Sequence, residues 1–179
     1  YGYGDMDLNK TYDMIMNKWK WGNFDQKHLF VDRSYMAELQ AMKLVMLRAA
    51  IEFERAGNKK RAVEMANKYF AAFPNMNFPY DYGIVPFINV LVQGEAWEDV
   101  KKHTSILATE TRQYLDFYAS QTDPDVINNF KQDEQARMST VQDILEIAKK
   151  TGDPAFTKKM EDLMGEYSKQ PEINPQNFQ

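Results

Sequence analysis

The chain has no cysteine. Disulfides, thiol nucleophiles and thiolate metal sites are therefore excluded, while the compartment stays open, because a cysteine-free chain suits either side of a membrane. Histidine is nearly as scarce: His28 and His103 stand alone in different segments, and no metal pair or catalytic base is read from either. No apolar run approaches the ~18 residues that a membrane-spanning helix needs. Lys and Arg are scattered through a chain of formal net charge -4, so nucleic acid is not an expected partner. There is no P-loop, dinucleotide fingerprint or nucleophile elbow. Asp123, Asp125 and Asn128 resemble part of a calcium loop, but without its central Gly and closing Glu they read as helix caps. The opening residues, Tyr1 to Gly4, lack an initiator Met, a basic start and an apolar run. They read as a boundary inside a longer protein and not as a signal peptide.

What is present is the material of one ordinary folded domain. Hydrophobic residues are 44% and charged residues 27% of 179, and a chain of this length buries roughly 70% of its unfolded surface without a staple. Eleven methionines are an unusual supply of flexible side chains. Several, among them Met14, Met36, Met42, Met46, Met65 and Met138, fall in helical patterns and read as core filler rather than as an adaptable groove.

Periodicity points to helices throughout. Residues 7–19 place Leu8, Tyr12, Ile15 and Trp19 on one face. An extended connector follows, with Ser34 as the expected N-cap of the next helix. Residues 35–56 carry a stripe of Leu39, Met42, Met46, Ala49, Ala50 and Phe53, and Gly57 ends it in a left-handed cap. Residues 59–73 return with Ala62, Val63, Ala66, Tyr69 and Phe70 inward, stopped by Pro74. A second pair, 84–92 and 96–120, turns at Gly94. A third, 126–150 and 155–167, turns at Gly152, with Asp153 and Pro154 opening its last helix. On 126–150 the expected stripe is Phe130, Met138, Val141, Leu145 and Ala148. Residues 171–179 read as a frayed tail.

The fold expected is therefore all-α: antiparallel helical hairpins in a tetratricopeptide-like, right-handed array of about six helices. It divides into an N-terminal helix and aromatic connector (1–33), a core of two hairpins (34–120), a C-terminal hairpin (121–170) and the tail. Counting back from Pro74, Met46, Ala49, Ala50 and Phe53 take the large, apolar, small and aromatic positions of such a repeat, and Ala62 takes the small position opposite. Spacings between the turn glycines are unequal, so the array is divergent.

The aromatics are the residues that suggest a surface with a task. Trp19, Trp21 and Phe24 in the connector, with Lys18, Lys20 and Lys27 among them, and Tyr80 and Tyr82 in the lead-in to the second pair form the candidate binding surface. Indoles with lysines suit a bilayer interface, and ring faces stack on sugars. The simpler reading is that the indoles lid the first hairpin.

The segments Lys18-Trp19-Lys20-Trp21-Gly22-Asn23 and Pro79-Tyr80-Asp81-Tyr82, in that order around a Met-rich helix and Gly57-Asn58, give the chain a resemblance. Over about residues 11–120 it resembles the C-terminal soluble domain of a bacterial protein O-mannosyltransferase-like membrane protein family, long carried as a domain of unknown function. The resemblance implies a membrane-embedded parent that moves a sugar from a lipid-linked donor, with its catalytic acid in a loop of the membrane part. It puts no catalytic residue and no cofactor on this chain, and places it at the periplasmic face of the inner membrane, with the cytoplasm as the alternative. The expected role is a non-catalytic interaction or accessory domain that docks on a polypeptide or on its own upstream membrane region. The alternative is a carbohydrate-binding accessory domain that uses the connector aromatics.

Overall fold

A computed structural model describes residues 5–169; the expected tail and the opening four residues lie outside them. The protein is all-α. Among the described residues there are seven α-helices, a few 3-10 turns, one π turn and no strand. The helices are α1 (Leu8–Asp13), α2 (Met36–Arg55), α3 (Lys59–Ala72), α4 (Val85–Gln93), α5 (Trp97–Ala119), α6 (Pro124–Lys150) and α7 (Pro154–Met164). None is long and apolar enough to cross a membrane. The described residues form two compact units, one within 5–79 and 86–99, the other within 80–85 and 100–169.

In the first unit α1 starts where Asp7 accepts a hydrogen bond from the Lys10 N–H at 3.0 Å. It widens into a π turn at Met14–Lys18, and Trp19 is already extended, so the helix ends one residue before the sequence suggests. Ile15 is fully buried. Between α2 and α3 the chain reverses in three residues. Gly57 has φ +75, the Asn58 N–H reaches back to the Phe53 carbonyl at 2.8 Å and the Gly57 N–H to Glu54 at 2.9 Å. That pair of bonds satisfies carbonyls the helix end would leave orphaned. The Asn58 side chain then caps α3.

So short a link makes α2 and α3 antiparallel neighbours. Met46, Ala49, Ala50 and Phe53 on α2 and Ala62, Met65, Ala66, Tyr69 and Phe70 on α3 are all buried. The alanines allow close approach, and the large side chains fill what remains. The α2 N-cap differs from expectation. A 3-10 turn, Arg33–Tyr35, precedes the helix, whose N-cap is Tyr35 with no side-chain hydrogen bond in place of the expected Ser34, and Asp32 accepts from the Ser34 N–H of the turn at 2.8 Å.

Gly94 has a different task from Gly57. The left-handed residue at the end of α4 is Glu95, with φ 60, and its neighbour Ala96 closes the turn on the Leu91 carbonyl. Gly94 is needed for space: a Cβ there would lie 2.1 Å from Cγ2 of Val63 on α3.

In the second unit Asp153 caps α7 with Pro154 in its first turn, as the sequence predicts, while α6 starts at Pro124 behind the Asp123 cap, two residues before the expected 126. Gly152 is left-handed between them, with φ +67. Two expectations fail. The buried face of α6 is Arg137, Thr140, Val141, Ile144, Ile147 and Ala148, so Leu145 lies off it and Phe130 is 43% exposed. The expected stripe followed apolarity and stepped past Arg137 and Thr140, the two polar residues that set the true register. The last helix does not run to Tyr167: it stops at Met164, because Gly165 takes φ 45, and Tyr167 is buried from a 3-10 turn, Gly165–Lys169.

Candidate binding surface

The connector is a folded loop, not the extended strap the sequence suggests. Gly22 and Asn23 both have positive φ, 64 and 59, and turn the chain. Asn77, placed by the tight turn after Pro74, then holds it. Its amide oxygen accepts from the Leu29 N–H at 2.7 Å, and its Nδ2 donates to the carbonyls of Lys27 at 2.7 Å and Phe24 at 2.5 Å. One side chain thus satisfies three backbone groups of a loop that has no secondary structure to satisfy them. Asp32 stands four residues after His28, but its carboxylate serves the Ser34 N–H. Among the described residues no group of His, Cys, Asp and Glu could hold a metal ion.

Trp19, Trp21 and Phe24 are brought together by this loop, all half-buried. The two indoles meet edge-to-face at 5.5 Å, Trp21 meets Phe73 at 5.7 Å, Phe24 meets Phe78 at 5.0 Å, and Phe73 and Phe78 close the chain of rings at 5.2 Å. Such contacts add to the burial of each ring. Trp21 therefore packs against Phe73 at the end of α3, as expected of a lid. Its Nε1 is buried with no hydrogen-bond partner among the described residues. Both indoles keep part of their surface open to solvent beside these edge-to-face contacts. What the loop does display is Leu29, 41% exposed, and Phe30, 92% exposed. Tyr35, Met36 and Leu44 of the following turn and helix are exposed as well.

Tyr80 and Tyr82 belong to the second unit, and Tyr80 corrects the reading of it as a surface residue. It is 2% exposed, and its hydroxyl is 3.0 Å from His103 Nδ1. An amphipathic ring with one polar atom is stable inside once that atom has a partner. Tyr82, 58% exposed, remains on the surface.

Around Tyr80 the second unit buries a polar cluster that sequence reasoning missed. Arg137, buried, donates from Nε to Asp133 at 3.0 Å, its guanidinium lies 3.6 Å from the centre of the Tyr114 ring, and its Nη1 is 3.5 Å from the Tyr80 carbonyl oxygen. The Tyr118 hydroxyl donates to the same Asp133 oxygen. Burial pushes the Tyr80 phenol well above the usual tyrosine range. Burial first, and the bond to Asp133 second, push Tyr118 up to about 12. The available signal was the Asp133–Arg137 spacing of four residues, a pair that faces one way on a helix.

No family model matches the chain, nor does any curated protein or solved structure. Two features of the chain stand out: an Asn77-held loop with apolar residues outward, and a buried cluster whose groups are turned on one another.

Proposed function

We propose that this chain is a non-catalytic, tetratricopeptide-like helical interaction domain, an accessory part of a membrane-embedded, glycosyltransferase-like protein at the periplasmic face. The carrying observation is that three large apolar side chains stay exposed around α2, Tyr35 in the turn before it and Met36 and Leu44 on it, while Met46, Ala49, Ala50 and Phe53 of the same helix are buried in the first hairpin. Large apolar side chains left outward beside a well-packed helical pair are what a docking surface offers. The occupant on this reading is a polypeptide, either the parent's own upstream region or an acceptor protein. The parent and its location rest on the resemblance carried by residues 18–23 and 79–82. The polar cluster supports the non-catalytic reading, because Tyr80, His103 and Arg137 are buried and bonded to neighbours rather than turned toward solvent.

A photo-crosslinking residue placed at Tyr35, Met36 or Leu44 in the full-length membrane protein tests this. The expected result is an adduct that maps to a defined polypeptide segment, absent when the probe is moved to exposed Lys149. Adducts no stronger than the Lys149 control would overturn the reading, as would glycosyl transfer by the purified chain.

A further inference from the structure

The Leu29–Phe30 tip is not accounted for by a polypeptide docking face on α2. Phe30 is the most exposed large apolar side chain among the described residues, yet it follows a loop immobilised by the three Asn77 bonds and by the Trp21–Phe73 and Phe24–Phe78 contacts. A fully exposed ring on a floppy loop would need no explanation. On a loop whose ordering is already paid for by the fold, it is presented, and binding through it loses little conformational freedom.

We propose that this tip seats the domain on an anionic lipid surface, with Leu29 and Phe30 entering the boundary between headgroups and acyl chains. Three observations favour lipid. The tip is two residues, far less than the ~800 Å² per partner of a stable protein interface, whereas a bilayer needs no complementary pocket. Lys20 and Lys27 are exposed on the same loop and are free of the ion pair that ties Lys18 to Asp13. The acidic residues of the loop are Asp25, exposed, and Asp32, whose carboxylate accepts from the Ser34 N–H. The formal charges of residues 19–32 cancel, two lysines against two aspartates, so the loop lacks the negative excess of a chain of net charge -4. The half-buried indoles of Trp19 and Trp21 stand in the same cluster, and Trp and Lys are the side chains that settle at the headgroup level.

The test is co-sedimentation of the 179-residue chain with vesicles of phosphatidylcholine containing 30% phosphatidylglycerol, and with phosphatidylcholine alone. The expected result is binding to the mixed vesicles that Phe30→Asp weakens at least ~10-fold and that Lys20→Gln with Lys27→Gln weakens on mixed vesicles only. Phe30→Asp leaves the fold intact, since the side chain has almost no contacts, and circular dichroism checks that. No binding to either vesicle, or binding that Phe30→Asp does not change, overturns the proposal. Loss of the α2 photo-adduct in Phe30→Asp without any vesicle binding overturns it too, and makes the tip a protein anchor. The crosslinking result on α2 stands or falls by itself.

Discussion

Phe87 and Tyr80 lie seven residues apart and are both buried, but in different company. In the first unit Phe87 stacks on Tyr69 at 3.8 Å and meets Phe70 edge-on, with Phe73 beyond them. In the second unit Tyr80 meets a histidine, and the neighbouring cluster joins an arginine, an aspartate and a second tyrosine. Ring packing is indifferent to pH and sensitive to volume. A buried polar cluster is the reverse: its members are costly to separate, and each depends on the protonation of the next. The two units are therefore expected to fail under different insults.

The largest expected effect is in the first unit. Phe87→Ala removes a fully buried ring from between Tyr69 and Phe70 and should cost ~3–5 kcal/mol, where Phe130→Ala, at a half-exposed ring of the second unit, should cost under ~1. Urea unfolding of both variants measures the difference. Equal losses would mean that ring packing does not hold the first unit together.

Alkali should strike the second unit. Tyr118, bonded to Asp133, and Tyr167, bonded to Asp116, are both pushed up to about 12, burial being the first cause in each. Their folded values lie above the ordinary 10, so the unfolded chain gives up these protons first. The stability they contribute is complete below pH 10 and is lost as pH rises from 10 through 12. For the pair this is on the order of 2–4 kcal/mol. Replacing both by Phe should flatten the fall in melting temperature over that window. An unchanged slope would show that the two hydroxyls are not held as described.

Smaller effects separate the two turn glycines. Gly94→Ala should cost ~1–3 kcal/mol through the clash with Val63, and Val63→Ala should restore much of it. Gly57→Ala meets nothing within 4 Å but sits at φ +75, so it should cost about 1 kcal/mol that no neighbouring substitution restores. Thermal unfolding of Gly94→Ala and of Gly57→Ala, each alone and combined with Val63→Ala, decides whether one glycine serves space and the other backbone.

These glycines also show what the sequence could and could not tell. Gly57 and Gly152 were legible because a left-handed cap is a local requirement that only the chain's own backbone sets. Gly94 was legible as the site of a turn, but what requires glycine there is Val63, thirty-one residues away. The α6 face failed in the same manner: apolar periodicity has no symbol for a buried Arg137 satisfied by Asp133, so the stripe slipped onto Leu145 and Phe130. Of the candidate surface, Trp19, Trp21 and Phe24 were legible as a local cluster. Tyr80 was misplaced because its burial depends on His103, and the role of Asn77 in the loop depends on a pairing of segments about fifty residues apart.

The smallest expected effect sharpens the contrast from within the second unit. Three buried threonines face its interior, Thr104 and Thr111 on α5 and Thr140 on α6. The Thr140 hydroxyl donates to the Ala136 carbonyl at 2.8 Å, while those of Thr104 and Thr111 have no partner among the described residues. Valine has nearly the same shape and helix propensity, so replacement isolates the hydroxyl. Removing a bonded hydroxyl forfeits a net ~0.5–1.5 kcal/mol, whereas removing an orphaned one relieves a desolvation cost. Thr140→Val should therefore destabilise, and Thr104→Val and Thr111→Val should be neutral or stabilising by up to ~1 kcal/mol. Losses at Thr104 and Thr111 as large as at Thr140 would mean that their hydroxyls are bonded after all, and that the polar character of this unit extends along α5 beyond His103.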